Sequence, residues 1–146
     1  MNTTKIDRLE LKRIQEDFPK MKITSSEDAY KYIKQFYSDD ILIYESFFIL
    51  LLNRSNTTIG YAKISQGGLC GTVVDVRIIA KYAIESLSSS IILAHNHPSE
   101  NTIPSDEDKH ITTKIKNTLN IFDVKVFDHI ILTENAYFSF ADNYLI

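Results

Sequence analysis

The sequence predicts a single α/β domain, a mixed β-sheet flanked by helices. Three observations carry that prediction. The chain has 146 residues, about the length of one domain. Helical and strand-like patterns alternate along it, in the order helix, two strands, helix, strand, helix, strands. Hydrophobic residues make up 44% and charged residues 24%, which supports a buried core and excludes a disordered or collagen-like chain.

Residues 1–24 alternate in charge and have few apolar positions. Leu9, Leu11, Ile14 and Phe18 allow one short amphipathic stretch, but the pattern is weak and the alternating charge favours a solvated arm or docking helix. Ser25, with Asp28 three residues on, reads as the N-cap of a helix over 26–37, with Tyr30, Ile33, Phe36 and Tyr37 forming its apolar stripe. The run 41–52 is apolar on both faces apart from Glu45 and Ser46, as expected of a central strand. Asn53-Arg54-Ser55-Asn56 makes a turn into a second strand, 57–66, pairing with the first. Gly67, Gly68 and Gly71 punctuate the following loop. Val76, Ile79, Ala80, Ala83, Ile84 and Leu87 repeat at helical spacing, so the core-facing stripe of the next helix runs to Leu87. A strand follows over 91–97, stopped by Pro98. Ser105 caps a helix over 106–119, and 124–127, 129–133 and 137–140 read as short strands.

Charge and cysteine content narrow the function. Sixteen Lys and Arg against nineteen Asp and Glu leave a net charge of −3, without the basic surplus that usually marks a nucleic-acid domain. Cys70 is the sole cysteine, which excludes an intrachain disulfide and a cysteine zinc cage and fits a reducing compartment. The N-terminus lacks the apolar core of a signal peptide. The longest unbroken apolar run, 47–52, is far short of the ~20 residues that span a bilayer. A cytoplasmic protein with no membrane partner is expected.

The chemistry concentrates in His95-Asn96-His97-Pro98-Ser99 and Pro104-Ser105-Asp106-Glu107-Asp108. Alternate strand residues share a face, so His95 and His97 point the same way and can converge on one ion. Asp108, at the third helical position, shares a face with Ile111, Ile115 and Leu119 and points towards the sheet. Two imidazoles and one carboxylate leave a fourth place for water, the pattern of a catalytic zinc site. Each piece alone has a plainer reading: a His-x-His at a strand end, and Ser105-x-x-Asp108 as an ordinary capping box. Their co-occurrence across one loop favours the metal. Glu45 is either a buried carboxylate raised in pKa for proton transfer, or a solvated residue at a strand mouth. Glu100 and Glu107 are its rivals, one on a loop and the other on a solvent-leaning helix position.

With an upstream Glu, His95-x-His97-x7-Ser105-x2-Asp108 resembles the JAMM motif of MPN/JAB-type metalloprotease domains. More closely, these residues are similar to the RadC family, together with Glu45 before Phe47, Gly71-Thr72, Arg77 before a helix and Asp128-His129-Ile130-Ile131. The resemblance covers 25–146 and implies a JAB/MPN, cytidine-deaminase-like architecture there, with 1–24 as an arm or short helix. It implies one zinc per chain held by His95, His97, Asp108 and water, Glu45 as general acid/base, and Ser105 hydrogen-bonding a developing oxyanion. The implied activity is zinc-dependent hydrolysis of a peptide or isopeptide bond in a peptide or protein substrate. Two other readings are open: a DNA-repair-associated role, catalytic or accessory, and a catalytically idle interaction module. The chain departs from the family in carrying Glu100 where glycine is usual, which puts a negative charge near the expected site mouth. Residues 1–24 are also too short for the helix-hairpin-helix segment that often precedes the domain. His129 is expected as a packed, hydrogen-bonded neighbour of the site rather than a fourth ligand. His110 is expected in solvent, Cys70 to be inert unless a histidine approaches it, and Arg77 to have no role. Oligomeric state is not legible.

Overall fold

The computed structural model describes residues 5–10, 12–68 and 72–146. Its elements are α1 (Ser26–Lys34), a 3-10 turn (Asp39–Leu42), β1 (Ser46–Leu52), β2 (Thr58–Gln66), α2 (Val76–Glu85), β3 (Ser90–Asn96), α3 (Asp106–Asn120), β4 (Lys125–Leu132) and β5 (Tyr137–Ser139). The strands form one sheet in the order β2-β1-β3-β4-β5. The β3–β4 pair is parallel, with α3 as its crossover, and the other pairs are antiparallel. The predicted mixed α/β fold is therefore the observed one.

Strand alternation splits the core in two. Phe47, Ile49, Leu51, Ile91 and Leu93 face α2 and α3, meeting Ile79, Ala83, Ile115 and Leu119. Leu50, Leu52, Ile92, Ala94, Ile130 and Leu132 face α1, meeting Ala29, Tyr32 and Ile33. β1 and β3 are buried along their whole length because both faces are covered. Among the described residues no helix is long and apolar enough to cross a membrane.

Several elements end elsewhere than the sequence suggests. The run 41–52 is not one strand: its first residues form the 3-10 turn, and β1 starts only at Ser46. The N–H groups of Ile43 and Tyr44 bond back to the Asp40 carbonyl. The Asn96 amide takes the carbonyls of Ile41 and Tyr44. Those backbone groups are unavailable to a sheet ladder. Helix α1 stops at Lys34, and Phe36 and Tyr37 continue only as i→i−3 turns, donating to the Ile33 and Lys34 carbonyls. The stripe of α2 does not reach Leu87, which is 85% exposed, and Ile84 is also exposed. The two strands expected over 124–133 are one, β4. Phe127 is passed over in its pairing with β3, and that irregularity breaks the sequence alternation.

Described residues of the arm up to Lys20 form no helix; Leu9 is 90% and Ile14 81% exposed, and Leu11 lies outside the described residues. Phe18 packs on Phe36 and Tyr61, with ring centroids 5.8 and 5.7 Å away. Lys22 then bridges to Thr57 beside β2.

Candidate metal centre

β3 delivers both histidines. In register His95 sits opposite Phe47 of β1, on the face covered by α2 and α3, and its ring stacks on Phe47 at 5.8 Å. His97 lies one residue beyond the strand, and its Nε2 comes within 2.9 Å of His95 Nε2. His97 Nδ1 lies 2.6 Å from the Asn101 carbonyl, which can only accept. The ring therefore donates from Nδ1 and turns the Nε2 lone pair into the site.

α3 delivers Asp108, and the capping box places it. Ser105 Oγ accepts the Asp108 N–H at 3.0 Å, while Asp108 Oδ2 accepts the Ser105 N–H at 2.8 Å. The cap and the site are thus one feature, because the pairing that ends the helix also fixes the carboxylate against the imidazoles. Asp108 Oδ1 is 3.3 Å from His95 Nε2, and Oδ2 is 3.3 Å from His97 Nε2.

Glu45 approaches from the other side, at the end of the three-residue link between the 3-10 turn and β1. It is on no strand face but immediately precedes β1, at the strand mouth that one of the two sequence readings allowed. Backbone bonds to Gly67 and Gly68 hold it beside the end of β2. Its Oε1 is 4.0 Å from His95 Nε2 and 3.8 Å from His97 Nε2. Glu45, His95 and His97 each offer one ligand atom within 4.8 Å of the other two, a set that could hold a metal ion.

The donor chemistry fits such an ion. Two imidazoles and two carboxylates converge, and the site is half-buried. Bound zinc at about 2.0–2.1 Å from nitrogen and oxygen ligands sets those ligands about 3.3 Å apart. The two histidine–Asp108 separations match that edge, while Glu45 stands further out. Proton affinities report the same pull towards positive charge. Burial alone would push the Asp108 carboxyl up, but the facing imidazoles of His95 and His97, where protonated in place of an ion, hold it far below the usual carboxylate range. Burial disfavours a charged His97, yet Asp108 and the Asn101 carbonyl outweigh it and raise the imidazole's pKa. Glu45 is raised, because desolvation exceeds the opposing influence of the two histidines.

The site opens into a cleft of about 660 Å³. Phe47, Val74, Pro98 and Ile111 form apolar parts of its wall, and Glu45, Glu107 and Asp108 supply the charge. No lysine or arginine is among the described residues that line it. Ser105 lines it too, and since its Oγ already accepts from Asp108 N–H, its hydroxyl proton is left for another acceptor. Glu100 is exposed and does not line the cleft. Its φ of 67° is the left-handed conformation that suits glycine.

His129 is fully buried in mid-strand, with Nε2 2.7 Å from His95 Nδ1. Its Nδ1 is 2.6 Å from Thr112 Oγ1 on α3. Burial, reinforced by the neighbouring His95, holds its pKa well below the usual histidine range, so it is neutral. His110 is exposed, Arg77 pairs with Asp75 at 3.0 Å, and Cys70 and Gly71 lie outside the described residues. Sequence reasoning missed two polar residues. Thr112 looked like one more helix threonine, and Asn96 was hidden between two ligand candidates although its side chain faces the opposite side of the sheet. The available signal for Asn96 was a polar residue inside a buried strand.

Comparison with known proteins agrees with this geometry. The family described as RadC-like JAB domain matches residues 23–145. A UPF0758 protein of Flavobacterium johnsoniae is 47% identical over 137 residues, covering 92% of this chain and 59% of the relative. A UPF0758 protein of Porphyromonas gingivalis is 41% identical over 125 residues, covering 85% and 54%. One from Chlorobaculum tepidum is 33% identical over 126 residues, covering 86% and 56%. The chain thus spans little more than half the length of these relatives.

Proposed function

The chain belongs to the RadC-like JAB domain family, and from that premise we propose that it is a zinc-dependent metallohydrolase that cleaves amide or isopeptide bonds in peptides or proteins. The observation that carries the reading is the convergence of His95, His97, Asp108 and Glu45 at one end of an open cleft. His95, His97 and Asp108 would hold the ion, since their atoms stand at the closest mutual distances. A bound zinc would supply Lewis acidity, acidifying a water molecule and polarising the scissile carbonyl.

Glu45 then acts as the proton carrier. Its position behind the closer ligands and its raised pKa suit a group that takes a proton from the attacking water and returns it to the leaving nitrogen. The C–N bond breaks, the carbonyl carbon gains the hydroxyl and the nitrogen gains the hydrogen. Ser105 donates its free hydroxyl proton to the oxygen on which charge develops. The carboxylate-lined cleft favours neutral or cationic substrates and disfavours a phosphodiester, which argues for peptide over nucleic acid.

The test begins with elemental analysis of the zinc-loaded chain after dialysis. About one zinc per chain is expected, lost in His97→Ala. Glu45→Gln should keep the metal and lower hydrolysis of a fluorogenic peptide library by at least about 100-fold. Zinc absent from the wild-type chain, or full turnover in Glu45→Gln, would overturn the reading.

A further inference from the structure

Behind the site three short polar contacts run in series. Thr112 Oγ1 is 2.6 Å from the Asp108 carbonyl, His129 Nδ1 is 2.6 Å from Thr112 Oγ1, and His95 Nδ1 is 2.7 Å from His129 Nε2. Each separation requires one proton between its two atoms. A carbonyl has none to give, so the Thr112 hydroxyl donates to Asp108. Having spent its only proton, Thr112 accepts from His129 Nδ1–H. The His129 ring is fully buried and its hydrogen-bond partners, Thr112 and His95, include no carboxylate to compensate a charge, so it is neutral and has a bare Nε2, which accepts from His95 Nδ1–H. Three protons fill these three contacts in only one direction, and the last one leaves the lone pair of His95 Nε2 facing His97 and Asp108; the 2.9 Å separation between His95 Nε2 and His97 Nε2 then holds two lone pairs and no proton, the place an ion would take.

We propose that Thr112 and His129 are positioning residues that fix His95 in the tautomer required of a metal ligand. This rests on the metal-site reading above. The chain of bonds is closed: it starts at the backbone carbonyl of Asp108 and ends on an imidazole beside that residue's own carboxylate. One element, α3, therefore sets both the third ligand and the protonation pattern of the first. His129 is itself immobilised. Its ring stacks on Phe140 at 4.7 Å and meets Phe47 edge-on at 5.5 Å, and its backbone N–H donates to Asp128 Oδ1 at 2.7 Å. Asp128 is anchored in turn by Ser139 Oγ and the Ala141 N–H. Thr112, His129 and His95 are all buried, which keeps bulk water from the relay.

Loss of the Thr112 hydroxyl should release that direction. In Thr112→Val, His129 gains nothing by keeping its proton on Nδ1. The reversed order, with His129 Nε2–H donating to His95 Nδ1, then places a proton on His95 Nε2, where the ion should sit. Side-chain 15N NMR of the metal-free wild-type chain reads the assignment directly, with His129 expected to carry its proton on Nδ1. Zinc affinity, measured by chelator competition, should fall at least about 10-fold in Thr112→Val and stay within about 3-fold of wild type in Thr112→Ser. A proton on His129 Nε2 in the wild type, or wild-type affinity in a folded Thr112→Val, would overturn the proposal. Should Thr112→Val not fold, the wild-type spectrum alone decides. A wild-type chain that binds no zinc would instead count against the metallohydrolase reading, and the spectrum would still report the relay.

Discussion

Asn96 ties the end of β3 to the segment that leads into β1. Its amide nitrogen donates to the carbonyls of Ile41 and Tyr44 at 2.7 Å each, and its Oδ1 accepts the Ser46 N–H at 2.7 Å. The segment so pinned carries Glu45, so the residue between the two histidines also sets where the proton carrier stands. Both donors and the acceptor are used, and the side chain is fully buried. Asn96→Asp keeps the shape but aims a carboxylate oxygen at two carbonyls. A loss of about 3 kcal/mol or more is expected from the urea midpoint, because two buried bonds are replaced by repulsion or by an uncompensated charge. Unchanged stability would mean that the amide is not oriented as described. The residue scale also shows what the sequence could convey. The ligand candidates were legible because imidazole and carboxylate at those spacings have few other uses together. Asn96 and Thr112 were not, since their value lies in partners 55 and 17 residues away whose approach only the fold creates.

Among the elements, α2 illustrates how a correct periodicity can mislead at its end. The helix closes with Ser88 N–H on the Ala83 carbonyl and Leu87 N–H on the Ile84 carbonyl, the paired bonds of a Schellman motif. That motif needs a left-handed residue, and Leu87 takes it at φ 56°. Its apolar side chain fits the helical stripe on paper, but the chain has left the helix by then and turns it to solvent. Leu87→Gly should therefore stabilise the protein by about 1 kcal/mol, removing backbone strain at no packing cost, while Leu87→Ala should not. Equal urea midpoints for the glycine variant and wild type would refute the strain argument. The strand misread over 41–52 has a similar origin. Hydropathy shows that a segment is buried on both sides, and Ile41 is indeed buried, but it cannot show that side-chain amides have taken the backbone groups a ladder would need.

At the scale of the whole molecule, the candidate site lies where three separately folded pieces meet: the end of β3, the first turn of α3 and the link into β1. The sheet order brings them together, since β1 and β3 are neighbours and α3 crosses from β3 to β4 over the face on which His95 points. Sequence patterns identified the elements and their types, but the order β2-β1-β3-β4-β5 depends on pairings between distant strands that local periodicity does not encode. Because the ligands come from different elements, unfolding disperses them, and an ion that binds the assembled site stabilises the fold by mass action. Free zinc at 100 times its dissociation constant is worth about 2.7 kcal/mol by that relation. For a domain of this size the melting temperature should rise by roughly 5–10 °C. The shift should vanish with a chelator and be absent in His97→Ala. A wild-type melting temperature indifferent to zinc would mean that the acceptor cluster is satisfied by protons alone. A shift that persists in His97→Ala would place the binding elsewhere on the chain.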